Sequence, residues 1–299
     1  MQTIISGHSE PWVRWLRSQE GQIKPTTYST YQRAAERHLS RLPWENLTQE
    51  DVGSFLSSAE LSSSTKRILA SMLRRTLALS GTSLTVKAPP AASPDAKTLS
   101  DEEAARLIHY LISSGDRVSV GILLAINAGL RIGEICAMRW EDISLSEGTV
   151  CVRRTVQRIK NDAPDESGRT RLYFGEPKSR SSRRTLPLPS FLIALLSRHE
   201  QDGQCYILTG SERVMEPRTL QYRFKRILHF AGVQYVNFHA LRHTFATRAI
   251  SCGVDIKTLS KLLGHSNVQT TLNIYVHPSM SHMRECMELL APCTGYAQP

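Results

Sequence analysis

The chain has 299 residues, of which 40% are hydrophobic, and its 37 Lys and Arg against 27 Asp and Glu give a net charge of +10. That length supports two domains with real cores, and the charge favours a polyanionic partner, of which nucleic acid is the commonest. No run reaches the roughly 18 apolar residues of a membrane span, the six Cys form no CxxC pair, and MQTIISGHSEPW lacks the pattern of a secretory leader, so a reducing cytoplasm is expected.

Residues 1–86 read as four helices. Pro11 to Glu20 places Trp12, Trp15 and Leu16 on one side, and Pro25 to Leu39 follows with Thr26 or Thr27 as its cap. Thr48 and Asp51 form a capping box for a third helix. Ser64 to Leu79 is the fourth, with Ile68, Met72 and Leu73 inside and Lys66, Arg67, Arg74 and Arg75 largely outside. Such a basic face either contacts DNA phosphates or is simply solvated, and these residues alone do not choose. Residues 87–97, KAPPAASPDAK, are rich in Pro and Ala and read as an interdomain linker.

A second domain, 98–299, opens with a capping box at Ser100 and Glu103 and a helix through Leu111. Arg117 to Ala128 is an apolar helix that Gly129 breaks. GLRIGEICAMRWEDI follows, with Arg131 on a turn among apolar and small residues. An Arg there needs a charged partner, either Glu134 or a ligand. From Thr149 the pattern changes to strands, with TVCVRRTVQRI as one and RLYFGEP and RRTLPLP as two more around the basic turn PKSRSSR, which holds Lys178. Arg180, Arg183 and Arg184 crowd the same segment as candidates for phosphate contact. Further helices are expected over Pro189 to Glu200 and over the basic Pro217 to Ala231.

The stretch from Asn237 to His277 carries the chemistry. His239 and Arg242, three apart on a helix, point the same way. Phe238, Leu241, Phe245 and Ile250 form the apolar side, and Gly253 is the stop. Asp255 caps a second helix that Gly264 ends, which places His265 on the turn behind it. Ser266 and Gln269 make a capping box for a third short helix, with Tyr275 just beyond. A last helix near Met283, Met287 and Leu290 docks on its own domain or on a neighbour. Read singly, each His is a surface or capping residue and Tyr275 a packed aromatic. Together they suit phosphodiester cleavage. Tyr, with a free pKa of about 10, is a weak nucleophile that needs a neighbouring base or cation. The Arg fork suits the oxygens of a phosphorane.

HALR at 239–242, LGH at 263–265 and Tyr275 ten residues after His265 resemble the signature of the tyrosine recombinases, the phage integrase family, whose motifs read H-x-x-R, G-H and Y. LNIYVHPSM is similar to integrases of bacterial mobile elements. The resemblance implies a mainly α fold with a small antiparallel β-sheet (α+β), built from a helical core-binding domain and a catalytic domain. It also implies a site of Arg131, Lys178, His239, Arg242, His265 and Tyr275. Tyr275 would attack the scissile phosphate to give a 3′-phosphotyrosyl link, with Arg131, Arg242 and His265 on the nonbridging oxygens. His239 would assist the nucleophile, and Lys178 would protonate the leaving 5′ oxygen. No cofactor or metal is expected, and the partner is double-stranded DNA held by a homotetramer. The alternatives are a chromosome-dimer-resolvase-like recombinase, a type IB topoisomerase-like nicking enzyme and a non-catalytic DNA-binding regulator.

Overall fold

The computed structural model describes residues 10–58, 60–90, 97–161, 169–176, 183–275, 280 and 284. The chain folds into two compact units, Met1–Pro94 with Gln157–Tyr173 and Asp95–Val156 with Phe174–Pro299. Both are mainly helical, and the second carries a small antiparallel sheet, so the fold is α+β. No described helix is long and apolar enough to cross a membrane.

In the first unit, helix α1 (Pro11–Ser18) buries Trp12, Trp15 and Leu16. Helix α2 (Pro25–His38) starts at Pro25, and neither Thr26 nor Thr27 caps it. The reason is local: Pro has no N–H to satisfy and its fixed φ suits the first helical position, which leaves both Thr inside the first turn. Helix α3 (Gln49–Ser57) carries the expected Thr48–Asp51 capping box. In helix α4 (Ser63–Leu79), capped by Ser62, the residues Leu69, Met72, Leu73 and Leu77 turn inward. These side chains, with Trp15, Leu39 and Val52, form one apolar core, each contributing on the order of 1.5–3 kcal/mol by burial. Arg67, Arg74 and Arg75 lie outside it, exposed. Gln157–Tyr173, mid-chain in the sequence, groups with these helices, and the Lys160 amide donates to the buried Ser29 hydroxyl at 2.9 Å.

The second unit is organised around helix α6 (Arg117–Ala128), buried on nearly every side as its continuous apolar sequence requires. Asp116 caps it by accepting from the Val118 and Ser119 amides. Helix α5 (Asp101–Ser114) packs on it and runs one turn past Leu111, to Gly115 in the left-handed conformation. Gly129, at φ +62°, ends α6. A Cβ there would lie 2.7 Å from Phe245 and 3.0 Å from Leu263, so later helices press on this turn. Helix α7 (Ile132–Cys136) begins directly after it.

The strands differ from the sequence expectation. The run at 149–159 splits into β2 (Thr149–Val152) and β3 (Thr155–Lys160), because Arg153 and Arg154 between them turn to carboxylates. Arg154 reaches Glu141 at 2.6 Å and the buried Asp142 at 2.8 Å. Strand β4 (Thr170–Gly175) pairs with β3, whereas β5 (Arg184–Pro187) joins β1 (Ile143–Ser144) and β2 in a separate sheet. Val150 faces Leu186 and Val152 faces Arg184 in that antiparallel register. The two segments flanking PKSRSSR are therefore partners of different strands and not of each other. Helices α8 (Ser190–Ser197), α9 (Pro217–Phe230), α10 (His239–Ser251), α11 (Ile256–Leu263) and α12 (Val268–Tyr275) complete the unit. Asn267, and not Ser266, sits just ahead of α12 and accepts from the Gln269 amide at 2.9 Å. The helix expected near Met287 lies outside the described residues.

Candidate active site

Arg242 is the hub. It projects from the first turns of α10, only 1% exposed, and is the bulkiest fully buried side chain among the described residues. Its Nη1 donates to the Gly129 carbonyl at 2.8 Å and its Nη2 to the Leu263 carbonyl at 2.6 Å. Both acceptors belong to helix C-termini, those of α6 and α11, where carbonyls lack intrahelical donors and the helix dipole favours a cation. One guanidinium thus ties together the turn that leads to Arg131 and the turn that leads to His265.

Arg131 stands at the start of α7, about one-third exposed, while Glu134 is buried. Glu134 accepts from the Arg131 backbone amide at 3.0 Å and from its Nη1 at 2.7 Å. Gly133 is required here, since a Cβ would meet Thr155 Oγ1 at 2.5 Å and the Val156 carbonyl at 2.7 Å. The opposite side of Glu134 is occupied by Arg184, a buried residue of β5 that reaches it at 3.1 Å and 3.3 Å. The Nε of Arg184 donates to the Leu262 carbonyl at 2.7 Å, one residue from an Arg242 contact. Burial pushes the Glu134 carboxyl up, but Arg184 and then Arg131 outweigh it, so it stays ionised below the usual carboxylate range.

The two His expected from the sequence lie beside this arginine cluster. His265 follows the left-handed Gly264, and its Nδ1 is 2.9 Å from the hydroxyl of the buried Thr271 in α12. That contact fixes the ring and leaves Nε2 on the opposite edge. Desolvation, followed by the charges of Arg242, Arg131 and Arg184, lowers its pKa to about 4. His239 keeps an exposed edge at the first position of α10, yet crowding by protein and then His243 and Arg242 lower it to about 4 as well. His243, one turn on, meets the His239 ring edge to face with centroids 4.7 Å apart. Both His are therefore neutral at pH 7 and able to accept a proton or a hydrogen bond.

Of the six residues expected from the sequence, Arg131, His239, Arg242 and His265 come together from three separate stretches of chain. Lys178 lies outside the described residues, as does the side chain of Tyr275, whose backbone closes α12 against α10 and α11. Arg184, grouped in the sequence with the arginines for phosphate contact, is instead held inside by Glu134. Its signal was present, since an Arg alternating with Leu186 on the inward face of a strand needs a carboxylate. His243 could have been found at i+4 from His239. Thr271 carried no such signal. Among the described residues no group of three or more His, Cys, Asp and Glu is placed to hold a metal. Two guanidiniums and two neutral imidazoles around a buried turn can take up an oxyanion and its developing charge.

Residues 97–282 match the model of the Phage integrase family. The chain is 35% identical over 213 residues to the "Tyrosine recombinase XerC-like" protein of Caldanaerobacter subterraneus, covering 65% of this chain and 54% of that one. It is 32% identical over 199 residues to "Tyrosine recombinase XerA" of Thermococcus kodakarensis, covering 64% and 62%. These matches span roughly half to three-fifths of the length of those relatives. The fold is similar to that of the Tn1549 transposon integrase solved with circular intermediate DNA, at a TM-score of 0.74, with 21% identity over 94% of this chain and 98% of that one. A lambda integrase tetramer solved on a Holliday junction gives 0.62, with 19% identity over 89% of this chain and 76% of that one.

Proposed function

The chain belongs to the phage integrase family, and from that premise we propose that it is a site-specific DNA recombinase acting through a 3′-phosphotyrosyl intermediate. The observation that carries this is Arg242 bound to the Gly129 and Leu263 carbonyls, which ties the turns that lead to Arg131 and His265 together, with His239 within electrostatic reach of both arginines. Tyr275 Oη attacks the scissile phosphorus as His239 assists removal of its proton. The P–O5′ bond breaks, and Lys178 protonates the leaving 5′ oxygen. Arg131, Arg242 and His265 hold the nonbridging oxygens. An ammonium suits the proton transfer, because a guanidinium stays protonated. The new phosphotyrosyl ester keeps the bond energy of the old diester, so rejoining needs no nucleotide.

Residues 1–86 act as the helical DNA clamp, 87–97 as the linker and 98–299 as the catalytic domain. Exposed Arg218, Arg223, Lys225 and Arg226 on α9, with Arg67, Arg74 and Arg75 on α4, supply phosphate contacts. Exchange between two duplexes cuts four strands, which calls for four protomers on double-stranded DNA in the cytoplasm. The solved lambda tetramer on a Holliday junction supports that arrangement. The test is a nicked duplex from the DNA flanking the gene, incubated in chelator without nucleotide. Strand exchange with a covalent protein–DNA species is the expected result. Relaxation of plasmid without exchange would point to a nicking enzyme instead, and binding without any covalent species to a regulator.

A further inference from the structure

The role of Glu134 poses an electrostatic problem. A buried carboxylate that only paired with Arg131 would orient that guanidinium but also cancel the charge it must present to a phosphate. The structure places a second cation on the same carboxylate. Each Glu134 oxygen accepts twice: Oε1 from Arg131 Nη1 and Arg184 Nη1, and Oε2 from the Arg131 amide and Arg184 Nη2. All its strong acceptor positions are filled, as a buried ionised carboxylate requires. With two guanidiniums on one carboxylate the group keeps a net charge of +1. Arg184 also grips the Leu262 carbonyl, three residues before His265. Its strand begins six residues after Lys178 in the sequence.

We propose that Arg184 is a positioning residue for cleavage: it satisfies Glu134 so that Arg131 is oriented without being neutralised, and it fixes the end of α11 beneath His265. The proposal rests on the recombinase reading above. Arg184 itself does not touch the phosphate; it acts through Arg131. The test is a double-mutant cycle on the full-length protein, read as the single-turnover rate of covalent adduct formation on the nicked flanking duplex, with the thermal midpoint measured in parallel.

Arg184→Gln is expected to slow adduct formation roughly 10–100-fold, the range seen when a group that orients an active-site ligand is removed. Arg184→Lys, which restores the cation but not the fork, should recover part of that loss. In an Arg131→Lys background the effect of Arg184→Gln should shrink, because the group it positions is already displaced. Losses that simply multiply, or an Arg184→Gln rate equal to wild type, would overturn the proposal. If Arg184→Gln does not fold, Arg184→Lys takes its place in the cycle and the same non-additivity decides. Wild-type protein that forms no adduct at all would instead overturn the recombinase reading.

Discussion

The two units solve the burial of polar groups in opposite ways. In the first, the interior is Trp, Leu, Met and Val, and its buried polar residues among those described are Ser29 and Thr76. Its arginines on α4 stay in solvent. In the second, Glu134, Asp142, Arg184 and Arg242 are all buried. Desolvating a charge costs several kcal/mol even when it is paired, and an apolar replacement is often as stable or more so. The first unit shows that this chain can build a core without such groups. The ionic cluster around α7, α10 and the end of α11 fits the chemistry proposed for it, whereas the charges of the first unit fit a surface role.

Arg242 should respond most strongly to substitution. Arg242→Ala takes away the phosphate donor proposed above and should slow adduct formation on the order of 10²–10³-fold. It also takes a buried donor from the Gly129 and Leu263 carbonyls, at about 1–3 kcal/mol each. Rate and urea midpoint should fall together, and a variant that lost stability alone would make Arg242 purely structural. In the first unit the expected change is milder. Arg74→Ala with Arg75→Ala should leave the thermal midpoint in place, weaken DNA binding, and lower the slope of log affinity against log salt by about 1 per lost phosphate contact. An unchanged slope would mean that these charges are only solvated.

The smallest effect is a pH dependence. His239 and His265 have folded pKa values lowered to about 4 from 6.5. The unfolded chain takes up their protons first, so their contribution is fully present above pH 6.5 and is lost as pH falls through 4. Urea midpoints at pH 7 and pH 5 should therefore diverge more for wild type than for His265→Gln. Equal divergence would show that the imidazole is not held neutral by its burial and the neighbouring arginines.

Much of this arrangement was legible in the sequence because it is local. The Thr48–Asp51 and Ser100–Glu103 boxes, the Gly129 and Gly264 stops and the i, i+3 pairing of His239 with Arg242 each depend on a few neighbouring residues. What was not legible is long-range. Arg184 meets Glu134 across fifty positions, and nothing near Arg184 in the chain names that partner. The same holds for strand pairing, where the basic run at 177–183 suggested a hairpin but β5 lies against β2. Thr271 was missed because a Thr in a helical stretch gives no sign of the imidazole it will meet. The Thr26 cap failed for a different reason, since Pro25 starts the helix ahead of it.

The most direct test of the central claim is covalent trapping on a suicide duplex with the wild-type protein and Tyr275→Phe, in chelator, followed by denaturing electrophoresis and peptide mapping. Wild type should give a denaturant-resistant adduct, attached through a 3′-phosphate to the peptide that contains Tyr275, with a free 5′ hydroxyl on the released strand. Tyr275→Phe should give none. An adduct that survives Tyr275→Phe, or one that maps to another residue, would contradict that claim.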